Sequence, residues 1–131
     1  MKLITIGVTG TQSGMNPEQA DVFTRLLKRW NDDGYTVDLI HGEAKGVDTE
    51  AASIANDLFM RASTPRTKTG HFARNREIVD RCDMLVVIPW QDEWQPEGGT
   101  WYTHDYAEKK GVDTLVIWPS EEVHQLIGQG R

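Results

Sequence analysis

The chain holds one cysteine, Cys82, in 131 residues. One cysteine excludes an internal disulfide, and with it the small disulfide-stapled scaffolds, so a reducing, cytoplasmic setting is expected. Long apolar runs are missing as well: none approaches the ~20 residues that a membrane helix needs. The opening MKLITIGV is apolar but has no small-residue cleavage site, and it reads as a first strand rather than a signal peptide. His41, His71, His104 and His124 are dispersed without metal-ligand spacing, so no metal and no cofactor are expected. The GxGxxG, GxxxxGK[ST] and GxSxG patterns are absent too. Positive charge is also in short supply. The 14 Lys and Arg against 20 Asp and Glu leave a net charge of −6, which sets a nucleic-acid partner aside as an expectation.

What is present is enough for one ordinary domain with a sizeable core. Residues 3–8, LITIGV, read as a buried strand. Asn16-Pro17 then opens a helix, with Asn16 as cap, Pro17 in the first turn and Gln19 at the capping-box position. Val22, Phe23, Leu26, Leu27 and Trp30 recur at helical spacing, and Gly34 closes the helix. Strand 35–40 follows, then a helix capped by Asp48, a weak strand at 59–62, a helix over 72–82 and a strong strand at 83–88. A helix from Thr100 to Gly111 and a strand at 113–118 complete a domain over residues 1–119. Residues 120–131 form a tail with room for a short helix. Alternating helices and near-continuously apolar strands predict an α/β fold. It is a Rossmann-like three-layer α/β/α arrangement with a mainly parallel sheet of about five strands.

In such sheets ligands bind at the carboxyl ends of the strands. Four polar stretches are candidates. GVTGTQSG, residues 7–14, offers Gly10 for close backbone approach and the hydroxyls of Thr9 and Thr11 for a phosphate. HGEAKGVD, residues 41–48, sets Gly42 and Gly46 before a helix N-terminus, where free N–H groups favour an anion. The segment 61–82 carries six cations against two acids, and within it Arg74 and Asn75 share helical faces with the inward Ile78 and Val79. Gly98, Gly99 and Thr100 repeat the glycine-then-helix logic. Trp90 and Trp94, in the loop before them, are candidates for stacking on a base, or for sealing a dimer.

Taken together, these loops resemble the SLOG superfamily, which includes the Lonely-guy and DNA-processing proteins, and most closely its small YspA-like members. HGEAKGVD looks like that group's H-G-x-A-x-G-x-D, ARNREIVDRCDMLVVIPW like its R-N-x-x-[ML] helix and strand, and GGTWYTHDYAEKKGV like its G-G-T loop and helix. Ile78 stands where the family has Met or Leu. The resemblance implies a nucleotide or nucleotide-derived ligand held by Thr9, Gly10, Thr11, Gly42, Gly46, Arg74, Asn75, Gly98, Gly99, Thr100 and Thr103. It also implies a sensor or sequestering protein of prokaryotic or phage systems, acting as a homo-oligomer.

Lonely-guy enzymes cleave the bond between base and ribose phosphate. They use an arginine, matched here by Arg74, and a glutamate three residues after the glycine-loop threonine. Thr103 and Tyr106 occupy the two positions that count gives, and neither is acidic. Asp105 would point about 100° away from Tyr106 on a helix. Binding is therefore the first reading. Phosphoribohydrolysis, with Arg74, Glu77 or Asp105 as catalytic candidates, is an alternative, and DNA binding a second alternative.

Overall fold

The computed structural model describes residues 2–67, 69–92 and 98–120. Five strands, β1 (Lys2–Gly10), β2 (Tyr35–Ile40), β3 (Arg61–Ser63), β4 (Met84–Ile88) and β5 (Asp113–Val116), form one sheet in the order β3-β2-β1-β4-β5. Every neighbouring pair is parallel; Ile6 pairs with Leu39 of β2 and with Met84 of β4. Four helices make the crossovers: α1 (Pro17–Asp32), α2 (Val47–Asp57), α3 (His71–Arg81) and α4 (Gly99–Lys110). The expected α/β class is the observed one.

Strand periodicity splits the core in two. Ile6, Val8, Val86 and Ile88 pack with Val22, Phe23, Leu26 and Leu27 of α1 and with Val47, Ala51 and Ala55 of α2. Leu85 and Val87 point the other way, with Ile40, onto Ile78 and Val79 of α3 and Trp101 and Ala107 of α4. A period of two along β4 thus feeds both layers. The chain runs outward from β1 to β3 and then crosses back to β4. The order therefore reverses between β1 and β4, and their carboxyl ends flank a crevice.

The capping box read from sequence forms in full. Gln19 N–H donates to Asn16 Oδ1 at 2.7 Å, and Asn16 N–H to Gln19 Oε1 at 3.0 Å. Gln19 also does something the pattern does not encode. Its buried amide donates to the carbonyls of Pro89 (2.7 Å) and Ile117 (2.9 Å), tying α1 to the exits of β4 and β5.

Four expectations shift. Asp48 is not the cap of α2; Gly46 is, at φ +86°, and Asp48 lies inside the first turn. The helix expected from Phe72 begins one residue earlier, at His71. The third strand starts at Arg61 because Phe59 turns the chain at φ +60°. The last strand ends at Val116, although Ile117 stays buried. The short helix expected in the tail, over 121–127, lies outside the described residues. Among the described residues no helix is long and apolar enough to cross a membrane.

Replacing Gln19 with Leu keeps the volume but strips two buried carbonyls of their donor. Gln19→Leu is expected to lose about 2–4 kcal/mol. Urea unfolding would read this as a lower midpoint at an unchanged slope.

Candidate functional site

At the crevice lies a cavity of about 450 Å³. Its floor is the end of β1, Thr9 and Gly10, with Thr11 and Gln12 beyond. One wall is the segment after β2, through Gly42, Ala44 and Asp48. A second wall is the start of α3, through His71, Phe72, Arg74 and Asn75. Pro89, Trp90 and Gln91 after β4, and Gly98–Trp101 at the start of α4, complete it. All four candidate stretches reach it: 7–14 through Thr9 to Gln12, HGEAKGVD through Gly42, Ala44 and Asp48, 61–82 through the first turn of α3, and the glycine loop through Gly98, Gly99 and Thr100.

The expected ligand residues do not all play the expected part. Thr9, Gly10, Thr11, Gly42, Arg74, Asn75, Gly98, Gly99 and Thr100 line the cavity. Gly46 does not. Its positive φ and the absence of a side chain let it abut the carbonyls of Thr11 and Gln12, so its close approach is to the neighbouring loop. Gly10 is pressed similarly: a Cβ there would lie 2.6 Å from Val47 Cβ and 2.7 Å from Ile88 O. Thr103 is fully buried and donates to Gly99 O at 2.7 Å, bonding within its own helix.

The octet HGEAKGVD largely satisfies itself. Val47 N–H donates to Thr11 O at 3.1 Å. Asp48 Oδ2 accepts from Gly42 N–H (3.0 Å) and Ala44 N–H (3.3 Å). Burial pushes the Asp48 carboxyl up to about 6, against the opposing pull of those two N–H groups and of Arg74. Burial lowers His41, with Glu43 working in the opposite direction. Donors for an anion come instead from the far side. No side chain among the described residues caps α4, and its first turn faces the crevice. Arg74, held by its Nη2 at 2.9 Å from His71 Nδ1, adds a guanidinium.

The catalytic candidates separate. Arg74 lines the cavity; Glu77 and Asp105 do not. Glu77 staples the loop before α3: it accepts from Arg66 N–H (2.6 Å), Thr67 N–H (2.9 Å) and Thr67 Oγ1 (2.6 Å), and pairs with Arg81 at 3.0 Å. The Thr67 hydroxyl, with these other donors, holds its carboxyl down at about 2. Asp105 meets His104 at 2.9 Å, and Glu108 lies on the other ring nitrogen at 3.6 Å. The ligand atoms of these three residues fall within 4.8 Å of one another on α4, outside the cavity lining.

Of the aromatic candidates, Trp90 lines the cavity and is 63% exposed, while Trp94 lies outside the described residues. Sequence reading missed Phe72, which also lines the cavity, is 53% exposed and packs on Tyr102 at 4.4 Å. Its signal was an aromatic seven residues before the inward Val79, and so on the same face at the start of that helix. Trp101 is core, against Trp118 at 5.5 Å.

No family model matches the chain, and no curated protein matches it. The fold is that of a Rossmann-like α/β domain. A solved structure that shares it is DNA processing protein A from Helicobacter pylori, described for its single-stranded DNA binding mode. The two align with a TM-score of 0.60 at 16% identity, over 97% of this chain and 73% of that one. This corrects one expectation. A nucleic-acid partner was set aside on net charge, yet a protein of this same fold binds single-stranded DNA. A charge of −6 over the whole chain does not exclude such a partner.

Glu77 gives a pH test. Its folded carboxyl lies below the ordinary value of 4.5, so its contribution is present above about 4.5 and lost as pH falls through about 2. Glu77→Gln is expected to cost about 1 kcal/mol at neutral pH, discounted for its contact with water. In thermal melts the gap between wild type and variant should close across that acid window.

Proposed function

We propose that the chain binds a nucleotide or nucleotide-derived ligand at the carboxyl ends of β1, β2 and β4, as a sensor or sequestering protein. One observation carries this reading: groups suited to a phosphate and groups suited to a base converge on one cavity. The phosphate side is Arg74, the hydroxyls of Thr9, Thr11 and Thr100, and the first turn of α4. The base side is the exposed rings of Phe72 and Trp90. The cavity volume suits a ligand of that size.

Binding fits better than hydrolysis. Glu77 and Asp105 are engaged away from the cavity, and the residue expected to supply a glutamate is Thr103 or Tyr106. The second reading is single-stranded DNA, one nucleotide of which would occupy the same cavity. The shared fold with DNA processing protein A supports it and also fits the SLOG resemblance of the sequence.

Calorimetric titration with AMP tests the main reading. Losing the Arg74 guanidinium in Arg74→Ala should weaken binding by about 10-fold or more. Gly99→Asp puts a carboxylate beside the first turn of α4, where a Cβ meets nothing closer than Asn75 Nδ2 at 3.7 Å, so the fold should persist while binding is lost. AMP affinity unchanged in both variants would overturn the proposed cavity. A thymidine oligomer separates the two readings. Tight binding with a salt slope of about −0.7 per phosphate engaged would favour the strand.

A further inference from the structure

Among the described residues, Asp48 is the one carboxylate lining a cavity otherwise suited to an anion. A carboxylate facing a phosphate is repulsive unless something on the ligand donates to it. Asp48 Oδ2 already takes both Gly42 N–H and Ala44 N–H. Oδ1 accepts from no described residue. Among the described residues no fully buried side-chain oxygen lacks a partner, so Oδ1 retains some exposure, on a residue that lines the cavity. The residue is otherwise only 6% exposed, so a donor reaching Oδ1 would meet it in a largely desolvated setting.

We infer that Asp48 Oδ1 accepts a hydrogen bond from a ribose hydroxyl of the bound ligand, making Asp48 a specificity-determining residue for ribose over its deoxy counterpart. The inference deepens the nucleotide reading and rests on it. The chemistry requires a ligand that carries acceptors and donors a few ångströms apart. A phosphorylated ribose has both: phosphate oxygens for Arg74 and the start of α4, and hydroxyls for Asp48. The Oδ2 bonds pin the carboxylate before the ligand arrives, so little rotamer freedom is lost on binding.

The test compares AMP, 2′,3′-dideoxy-AMP and inorganic phosphate by calorimetry. At about pH 7.5, AMP should bind about 10-fold or more tighter than the dideoxy analogue, as a hydrogen bond to a charged group gives. In Asp48→Asn the amide oxygen must face Gly42 and Ala44, which turns the NH₂ to the cavity. The preference should drop to about 3-fold or less, as a neutral bond is roughly half as strong.

The wild type alone offers a second readout, independent of how the variant folds. Asp48 titrates near 6 and ionises above it, so the AMP preference should be present above that pH and fade below it. Arg74 of α3, with His71 on it, is the charged group that acts on Asp48; His41 and Glu43 meet each other in the loop that also supplies Gly42 and Ala44. The ratio of the two affinities cancels the titration of the phosphate, which both ligands share. Equal affinities for AMP and the dideoxy analogue would overturn the inference and leave the nucleotide reading standing. So would a preference unchanged in Asp48→Asn or at about pH 5. Absence of binding by all three probes would bring down both.

Discussion

The backbone of one residue, Thr11, holds the strand ends in place. Its N–H donates to Ile88 O at the end of β4 (3.1 Å), and its carbonyl accepts from Val47 N–H at the start of α2 (3.1 Å) and from Gly14 N–H (3.2 Å). Two distant pieces of chain, the end of β4 and the start of α2, thus converge on a single residue of the loop after β1. The convergence is only possible because Gly10 leaves no Cβ between Val47 and Ile88. The crevice that topology places between β1 and β4 therefore has a hydrogen-bonded floor. A ligand entering it would not need to order that floor, and preorganisation of this kind limits the entropic cost of binding.

The same constraint decides which helix faces an anion. With the first N–H of α2 bonded to Thr11, and Gly42 and Ala44 bonded to Asp48, the octet HGEAKGVD has little left to offer a phosphate. Buried N–H groups need acceptors, and here a carboxylate supplies them at the expense of its own desolvation, which the raised pKa records. Anion-binding capacity moves across the crevice to the start of α4 and to Arg74. The two walls are thus of opposite character, acceptor on one side and donor on the other. That is a stronger demand on a ligand than either wall makes alone.

Much of the scaffold could be read from the sequence because it is local. The Asn16–Gln19 box, the helical spacing of Val22 to Trp30, and Gly111 closing α4 each involve residues within a few positions of one another. The apolar run of β4 is legible for the same reason. Function depended on non-local facts. Asp48 looked like a cap because an aspartate before a helix usually is one; that it reaches back to Gly42 is a matter of loop path. Thr103 and Thr100 are indistinguishable by type, yet the first hydroxyl bonds its own helix and the second lines the cavity. Glu77 sat among cations and was open to a catalytic role, but the loop 66–67 folds onto it.

Charge shows the same limit most clearly. A net charge is a sum over the surface, whereas a ligand meets a few groups at contact distance, and solvent screens the rest within about 8–10 Å. Around this cavity the cations are differently committed. Arg81 is paired with Glu77, and Arg76 donates to Tyr102 Oη at 2.9 Å. Arg74 lines the crevice with only a histidine as its hydrogen-bonding partner among the described residues. One guanidinium, a helix start and a few hydroxyls match a single phosphoryl group, whether that group belongs to a free nucleotide or to one unit of a strand. Deciding between those two depends on what lies beyond the crevice rather than in it, and total charge carries no information about that.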